Sequence, residues 1–256
     1  MLVPFKRAES ATMPGTAARP NEDYAAVGPD WAIVLDGATH FDGVPTGCRH
    51  DVPWLVSQLA AALIERLVLS RMSLPETLAG AIEATCAAHA GHCDLANPDS
   101  PSSTVVIVRA SDPAVEYLVL GDSAAVLQAG QRITVHTDDR VDYLQPGGRP
   151  YTPALVRSKR NAPGGFWVAS TKPRAAYEAI SGTAEDVTHV ALLTDGITRL
   201  VDYYGYDWPG IFAVLDTGGP DELIRRVRQA ERAAPPPGYP RDKRHDDATA
   251  VYLRVS

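Results

Sequence analysis

Residues 104–136 read TVVIVRASDPAVEYLVLGDSAAVLQAGQRITVH. Four β-rich runs lie within them: Thr104 to Arg109, Glu116 to Leu120, Ala124 to Gln128 and Arg132 to His136. Turns such as Ser111-Asp112-Pro113 and Gly130 separate them. Parallel neighbours need long crossovers, so this close spacing predicts antiparallel hairpins.

On the N-terminal side, Trp31-Ala-Ile-Val-Leu35 reads as a buried strand that ends in a turn at Asp36-Gly37. Residues 52–71 carry Leu55, Leu59, Leu63 and Leu67 at helical spacing, with Ile64 and Val68 beside them, and Asp51 and Pro53 mark the helix start. Residues 74–92 predict a second helix, rich in Ala and Leu, between Leu74-Pro75 and Gly91. Residues 1–18, punctuated by Pro14-Gly15, read as an irregular lead-in.

On the C-terminal side, residues 137–165 read as a long loop or flap, a kind of segment that is often functional. Val187 to Leu193 predicts a strand that ends at Thr194-Asp195-Gly196. Residues 197–204, 208–216 and 220–233 read as helical, 234–244 as a Pro-rich basic loop, and Ala248 to Val255 as a closing strand. No repeat or linker interrupts the pattern, so the expectation is one α+β domain over 19–256.

Composition narrows the function. The formal charge is −7 with no basic stripe, which argues against a nucleic-acid partner. The best membrane-span candidate, Leu55 to Leu69, is interrupted by Gln58, Glu65 and Arg66, so no span is expected. The N-terminus lacks a continuous apolar signal region, and Cys48, Cys86 and Cys93 are too few for a disulfide framework. A cytoplasmic location is the expectation.

Four aspartates share one context: Asp36, Asp122, Asp195 and Asp246 each stand at the edge of an apolar strand. Singly, Asp and Gly at strand ends are ordinary turn formers. Together, several carboxylates repel unless cations neutralise them, and oxygen ligands suit hard divalent ions such as Mg²⁺ and Mn²⁺.

Taken in order, Arg19-Pro-Asn-Glu-Asp23, Val34-Leu-Asp-Gly37, Ser102-Ser-Thr104, Leu120-Gly-Asp-Ser123, Thr194-Asp-Gly196 and Asp246-Asp-Ala-Thr249 resemble the motifs of the metal-dependent type 2C Ser/Thr protein phosphatases, the PPM family. The resemblance, to a divergent bacterial-type member, covers about residues 19–254. It implies a four-layer α/β/β/α sandwich, two antiparallel sheets flanked by helices. It also implies a dinuclear Mn²⁺ or Mg²⁺ centre whose metal-bridging hydroxide attacks a phosphomonoester. By the same resemblance, Asp36 bridges both metals, Asp195 and Asp246 complete the first, and the Gly37 carbonyl with Glu22 and Asp23 serves the second. Asp122, with Asp195, would help hold a third, weaker ion, and Arg19 would grip the substrate phosphate. The implied substrate is a protein phosphoserine or phosphothreonine. A small phosphorylated metabolite on the same centre, or a catalytically weak phosphatase-like regulator, are the alternatives.

The sequence departs from the family pattern in places. The loop after the first aspartate reads Asp36-Gly-Ala-Thr-His-Phe-Asp-Gly43, without the family's glycine pair, and His40 becomes the candidate leaving-group acid. Arg19 lies one residue closer to the acidic pair than is usual, and the last motif has Asp247 where many members have Asn. Cys86, His89, His92 and Cys93 suggest zinc by type, but four ligands on one helix rarely close a tetrahedron, so a small-residue packing helix is the expectation there. Gly164-Gly165 reads as a turn into a strand, since no Gly-Lys-Ser/Thr follows. The basic run Arg241 to His245 reads as a solvated loop beside Asp246, placed to draw in anions.

Overall fold

A computed structural model describes residues 4–38, 41, 43–89, 91–111, 113–148, 150–232 and 244–255. The strands in chain order are β1 (Arg7–Met13), β2 (Asp23–Val27), β3 (Trp31–Ala38), β4 (Ser102–Ser111), β5 (Ala114–Leu120), β6 (Ala124–Ala129), β7 (Arg132–Thr137), β8 (Ile180–Glu185), β9 (His189–Leu193) and β10 (Ala248–Arg254). The helices are α1 (Val52–Leu69), α2 (Leu74–Ala88), α3 (Pro153–Lys159), α4 (Asp195–Tyr204) and α5 (Trp208–Arg232). Two five-stranded sheets form, one ordered β1-β10-β9-β6-β7 and the other β2-β3-β4-β5-β8. Every pairing within them is antiparallel.

Alternation of side chains along the strands builds three apolar layers. Val34, Val106, Leu192 and Val251 meet between the sheets. Ile33, Leu35, Val105 and Ile107 point the other way, against Leu59 and Leu63 of α1 and Leu78 and Ile82 of α2. On the opposite outer face Val126, Leu193 and Tyr252 pack on Ile197, Phe212, Leu215 and Leu223 of α4 and α5. Strands covered on both faces need apolar residues at every position, which is why β3 and β4 read as continuous runs rather than as alternating ones. The result is the four-layer α/β/β/α sandwich.

Local signals set the helix ends. Asp51 accepts a hydrogen bond from the Trp54 amide to start α1, and Ser73 with Glu76 forms a reciprocal capping box at α2. The helix from Trp208 breaks at Gly219, where φ is +69°, and resumes at Pro220, which separates the two helical stretches expected there.

Several expectations change. The lead-in 1–18 is not irregular throughout: Arg7–Met13 is an edge strand zipped onto β10, from Arg7 opposite Arg254 to Met13 opposite Ala248. Its exposed, mostly polar residues leave no apolar signal. The flap contains a 3-10 turn at Asp139–Tyr143 and the helix α3, and β8 lies downstream where no strand is expected. Helix α1, at mean hydropathy 1.5, is by length and composition apolar enough to cross a membrane, contrary to the expectation of no such stretch. Its Leu59, Leu63 and Leu67 nevertheless fill the core under β3, and Leu55 is buried as well. Most of the Pro-rich loop, 234–243, lies outside the described residues.

Candidate metal centre

Strand register brings the acidic motifs to one end of the sandwich. In one sheet, Asp23 at the start of β2 stands opposite Asp36 near the end of β3, and Asp36 stands opposite Thr104 at the start of β4. Leu120, at the end of β5, faces Val105, so Gly121-Asp122 emerges at the same end. In the other sheet, Leu193 pairs with both Ala124 and Ala250, which puts Asp122, Asp195 and Asp246 at that edge too. Gly121, at φ +88°, turns the chain from one sheet to the other, and a Cβ there would sit 2.8 Å from Thr104 Cγ2.

Hydroxyl hydrogen bonds join the two sheets at this edge. Thr194 Oγ1 donates to Asp23 Oδ2 at 3.0 Å, and the Thr104 and Ser123 hydroxyls meet at 2.7 Å. Ser103 Oγ donates to the Asp36 carbonyl at 3.0 Å, and the Gly37 amide donates to the Glu22 carbonyl at 3.0 Å. The chains approach closely here. A Cβ on Gly37 would lie 2.7 Å from the Glu22 carbonyl oxygen, and one on Gly196 would lie 1.8 Å from that of Asp247. Each Asp-Gly pair thus owes its glycine to backbone packing as well as to turn formation.

The electrostatics are those of a carboxylate cluster. Asp36 is pushed well above the usual carboxylate range by desolvation and then by the charges of Asp23, Asp195, Asp122 and Asp246. Asp23 is pushed up to about 8, by burial first and then by Asp247 and Asp195, while hydrogen bonds from Thr249 and Thr194 pull it down. Its Oδ1 is buried without a hydrogen-bond partner. A crowded all-oxygen set with an orphaned buried carboxylate oxygen fits hard divalent cations, which supply the missing charge.

The structure also shows supporting residues that the motifs do not reveal. Arg199, fully buried on α4 one turn after Asp195, donates to Glu231 Oε1 at 2.5 Å and to Asp246 Oδ2 at 3.3 Å. Arg228 and His245 contact the other Glu231 oxygen at 2.9 and 2.7 Å, and Arg228 also donates to the Asp246 carbonyl at 2.8 Å. Asp247 accepts from the backbone amides of Gly15 and Glu22, both at 2.7 Å. The one sequence signal for Arg199 is a charge between Ile197 and Leu200, on the core-facing side of its helix.

Beside the cluster, a cleft of about 450 Å³ runs under the flap, lined by Asp122 and Asp195 and by Asp139, Asp142 and Asp202. Arg19 is exposed on the loop between β1 and β2. His40 lies outside the described residues.

Residues 16–227 match the family model of protein phosphatase 2C. The chain belongs to the protein phosphatase 2C family. It is therefore a metal-dependent phosphatase, and Mn²⁺ or Mg²⁺ is its metal. No curated protein matches the sequence. Solved structures share the fold at low identity. The serine/threonine phosphatase PstP/Ppp of Mycobacterium tuberculosis is 17% identical, with 98% of each chain covered and a TM-score of 0.62. The catalytic domain of PstP in complex with two manganese ions is 17% identical, with 97% of each chain covered and a TM-score of 0.59. Stp1 of Staphylococcus aureus is 14% identical, with 100% of this chain and 98% of the other covered and a TM-score of 0.63. Within this protein phosphatase 2C fold, the acids gathered around Asp36 occupy one end of the central sandwich.

Proposed function

We propose that the protein hydrolyses phosphoserine and phosphothreonine in cytoplasmic proteins, with the carboxylate cluster as its metal centre. The observation that carries this reading is the meeting on Asp36 of charges from both sheets: Asp23 from one, Asp195 and Asp246 from the other, and Asp122 from the crossover between them.

In this reading Asp36, Asp195 and Asp246 would hold the first ion, and Glu22, Asp23 and the Gly37 carbonyl, with Asp36, the second. Asp122 with Asp195 would help hold a third, weaker ion. When bound, such ions activate water as a nucleophile and stabilise the charge on attacking and leaving oxygens. The chain's own part is to hold the ligands in place. Thr194 fixes one Asp23 oxygen, Asp247 holds the Glu22 backbone, and Arg199 holds Asp246. Arg19 is assigned to the substrate phosphate and His40 to protonation of the leaving group.

The acidic cleft favours a protein substrate over a small metabolite. A phosphorylated metabolite is itself anionic and gains nothing from Asp139, Asp142 and Asp202, whereas a peptide can place basic residues there.

The test is Mn²⁺-dependent hydrolysis of p-nitrophenyl phosphate by the intact chain, by Asp36→Ala and by Asp195→Ala, each with and without EDTA. Metal-dependent turnover that both variants lose supports the assignment, and equal turnover in all three proteins overturns it. Phosphopeptides assayed beside phosphorylated sugars and nucleotides then decide the substrate class.

A further inference from the structure

A second constellation lies outside the carboxylate cluster. Cys48, His50, His89 and Cys93 come together so that one ligand atom from each lies within 4.8 Å of all the others. Cys48 and His50 end the loop between β3 and α1, just before the Asp51 cap. His89 caps the C-terminus of α2, and Cys93 follows one turn later, past Gly91 at φ +69°. The sequence spacing is Cys-X-His and, after a long interval, His-X-X-X-Cys. Of the sequence set Cys86, His89, His92 and Cys93, only His89 and Cys93 belong to this group. Cys86 turns away, with its Sγ 3.6 Å from the Thr171 carbonyl, and His92 is exposed. The partners of His89 and Cys93 come from the preceding loop rather than from the same helix.

The sulfur-to-nitrogen distances are those of a tetrahedral metal shell. Cys48 Sγ lies 3.6 Å from His50 Nδ1 and 3.5 Å from His89 Nδ1, and Cys93 Sγ lies 3.5 Å from His50 Nδ1. Zn–S bonds of about 2.3 Å and Zn–N bonds of about 2.0–2.1 Å give S···N edges of about 3.6 Å in a regular tetrahedron. The two sulfurs are 3.2 Å apart, closer than the edge of about 3.8 Å that two such Zn–S bonds span, so they would part by roughly 0.6 Å around an ion; both thiols are free. The surroundings are those of an ordered ligand shell. The His50 amide donates to Cys48 Sγ at 3.3 Å, His50 stacks on Trp54 with centroids 3.8 Å apart, and His89 meets the same indole edge-on at 4.7 Å. His89 is only 2% exposed.

We propose that these four side chains form a structural Zn²⁺ site, closed by two thiolates and two imidazoles. Binding one Zn²⁺ displaces the two thiol protons, so the filled site is neutral and two protons pass to solvent. A closed Cys₂His₂ shell leaves no open position for substrate, which makes the role structural. The site pins the far end of the loop that follows β3. Hydrogen bonds from the Asp94 amide to the Gly47 carbonyl, at 2.9 Å, and from Asn97 Nδ2 to the Pro45 carbonyl, at 3.1 Å, already stitch that loop to the segment after α2. This is the loop that lacks the family's glycine pair, and a metal clip offers a different means of fixing it.

The test uses the intact, reduced protein, dialysed without chelator against excess Mg²⁺ so that the carboxylate centre holds Mg²⁺ rather than zinc. Elemental analysis should find one zinc per chain in the wild type and in Asp36→Asn, and none above background in Cys48→Ser and Cys93→Ser. Because those variants could misfold, zinc is also replaced by Co²⁺ in the wild type. Tetrahedral d–d bands together with a sulfur-to-cobalt charge-transfer band support the site. No zinc in reduced wild type together with no sulfur charge-transfer band overturns it, as does an intact mass lower by two hydrogens with Cys48 and Cys93 linked and no metal bound. Retention of zinc in Asp36→Asn separates this site from the catalytic one, so either assignment can fail alone.

Discussion

The Asp247 carboxylate accepts the backbone amide of Glu22 at 2.7 Å, and its other oxygen accepts that of Gly15 at 2.7 Å. One side chain at the entry to β10 thereby fixes the loop that carries an acidic candidate ligand. A carboxylate suits this task because it offers acceptors on both oxygens, whereas an amide offers one acceptor and one donor. Asp247→Ala should cost about 2 kcal/mol, since each orphaned amide costs ~1–3 kcal/mol when shielded from water. It should also raise the Mn²⁺ concentration needed for half-maximal activity by about 10–100-fold, the usual effect of losing a partner that orients a metal ligand. Asp247→Asn should fall between the two. Urea unfolding and Mn²⁺ titrations of turnover measure both effects, and an unchanged Mn²⁺ requirement in Asp247→Ala would remove the positioning role.

The raised carboxyls predict how the metal-free protein responds to pH. Asp36 and Asp23 hold protons in the folded state that the unfolded chain releases near the ordinary carboxylate value of about 4. The folded state therefore binds more protons between there and about 8, so metal-free stability falls as pH rises through that window. Divalent ions take the place of those protons, so the stabilisation conferred by Mn²⁺ should grow as pH rises through the same window. Asp36→Asn removes one of the repelling charges. Without metal its melting temperature should depend less on pH than that of the wild type. With metal its turnover should be lower by on the order of 10²–10³-fold, the scale of losing one preorganised electrostatic contact. Melting curves in EDTA at pH 5, 6.5 and 8 provide the check, and a wild-type melting temperature that rises steadily across them would contradict the argument.

The legible parts of the molecule are those in which a local rule and the global fold agree. Strands β3 and β4 could be read because both faces are buried, and α1 because Leu55, Leu59, Leu63 and Leu67 form one buried stripe. Asp36, Asp122, Asp195 and Asp246 could be read because the register of an antiparallel sandwich carries alternate strand ends to one edge. Strand β1 could not, because an edge strand of Arg, Glu, Ser and Thr is held by backbone pairing that leaves no side-chain signature. Nor could the meeting of Cys48 with His89. Their contact spans 41 residues and depends on where α1 and α2 end, which spacing alone does not encode.

Arg199 gives a prediction that concerns stability first. It is fully buried between Glu231 and Asp246, so its removal strands a buried carboxylate. Breaking such a pair by removing one partner costs about 3–5 kcal/mol. Arg228 and His245 remain on Glu231 and should keep the loss for Arg199→Met near the lower end, about 3 kcal/mol. The double variant Arg199→Met with Glu231→Gln should recover part of that loss, because Gln removes the stranded charge yet still offers an oxygen to Arg228, which also keeps the Met13, Pro14 and Asp246 carbonyls. Denaturant unfolding of the single and double variants measures this, and a double variant less stable than the single would show that the ion pair is not the source of the cost.

The cleft under the flap predicts substrate preference. Asp139 and Asp142 are exposed on its wall beside the candidate metal ligands Asp122 and Asp195. A phosphopeptide with Arg or Lys near the phosphorylated residue brings positive charge to that wall, and each exposed pair is worth about 0.2–1 kcal/mol. Replacing both wall residues with Asn should therefore raise KM for basic-flanked phosphopeptides by roughly 2–30-fold, at most two such pairs combined. kcat should hold steady, because these residues do not touch the reacting phosphate. Turnover of p-nitrophenyl phosphate, which lacks a basic flank, should change little. The preference should also weaken as salt rises, since exposed pairs are screened over about 10 Å at 0.1 M ionic strength. Steady-state kinetics of the double variant on matched basic and neutral phosphopeptides, at low and high salt, decide it. An equal rise in KM for both peptides would mean that the wall shapes the cleft without reading charge.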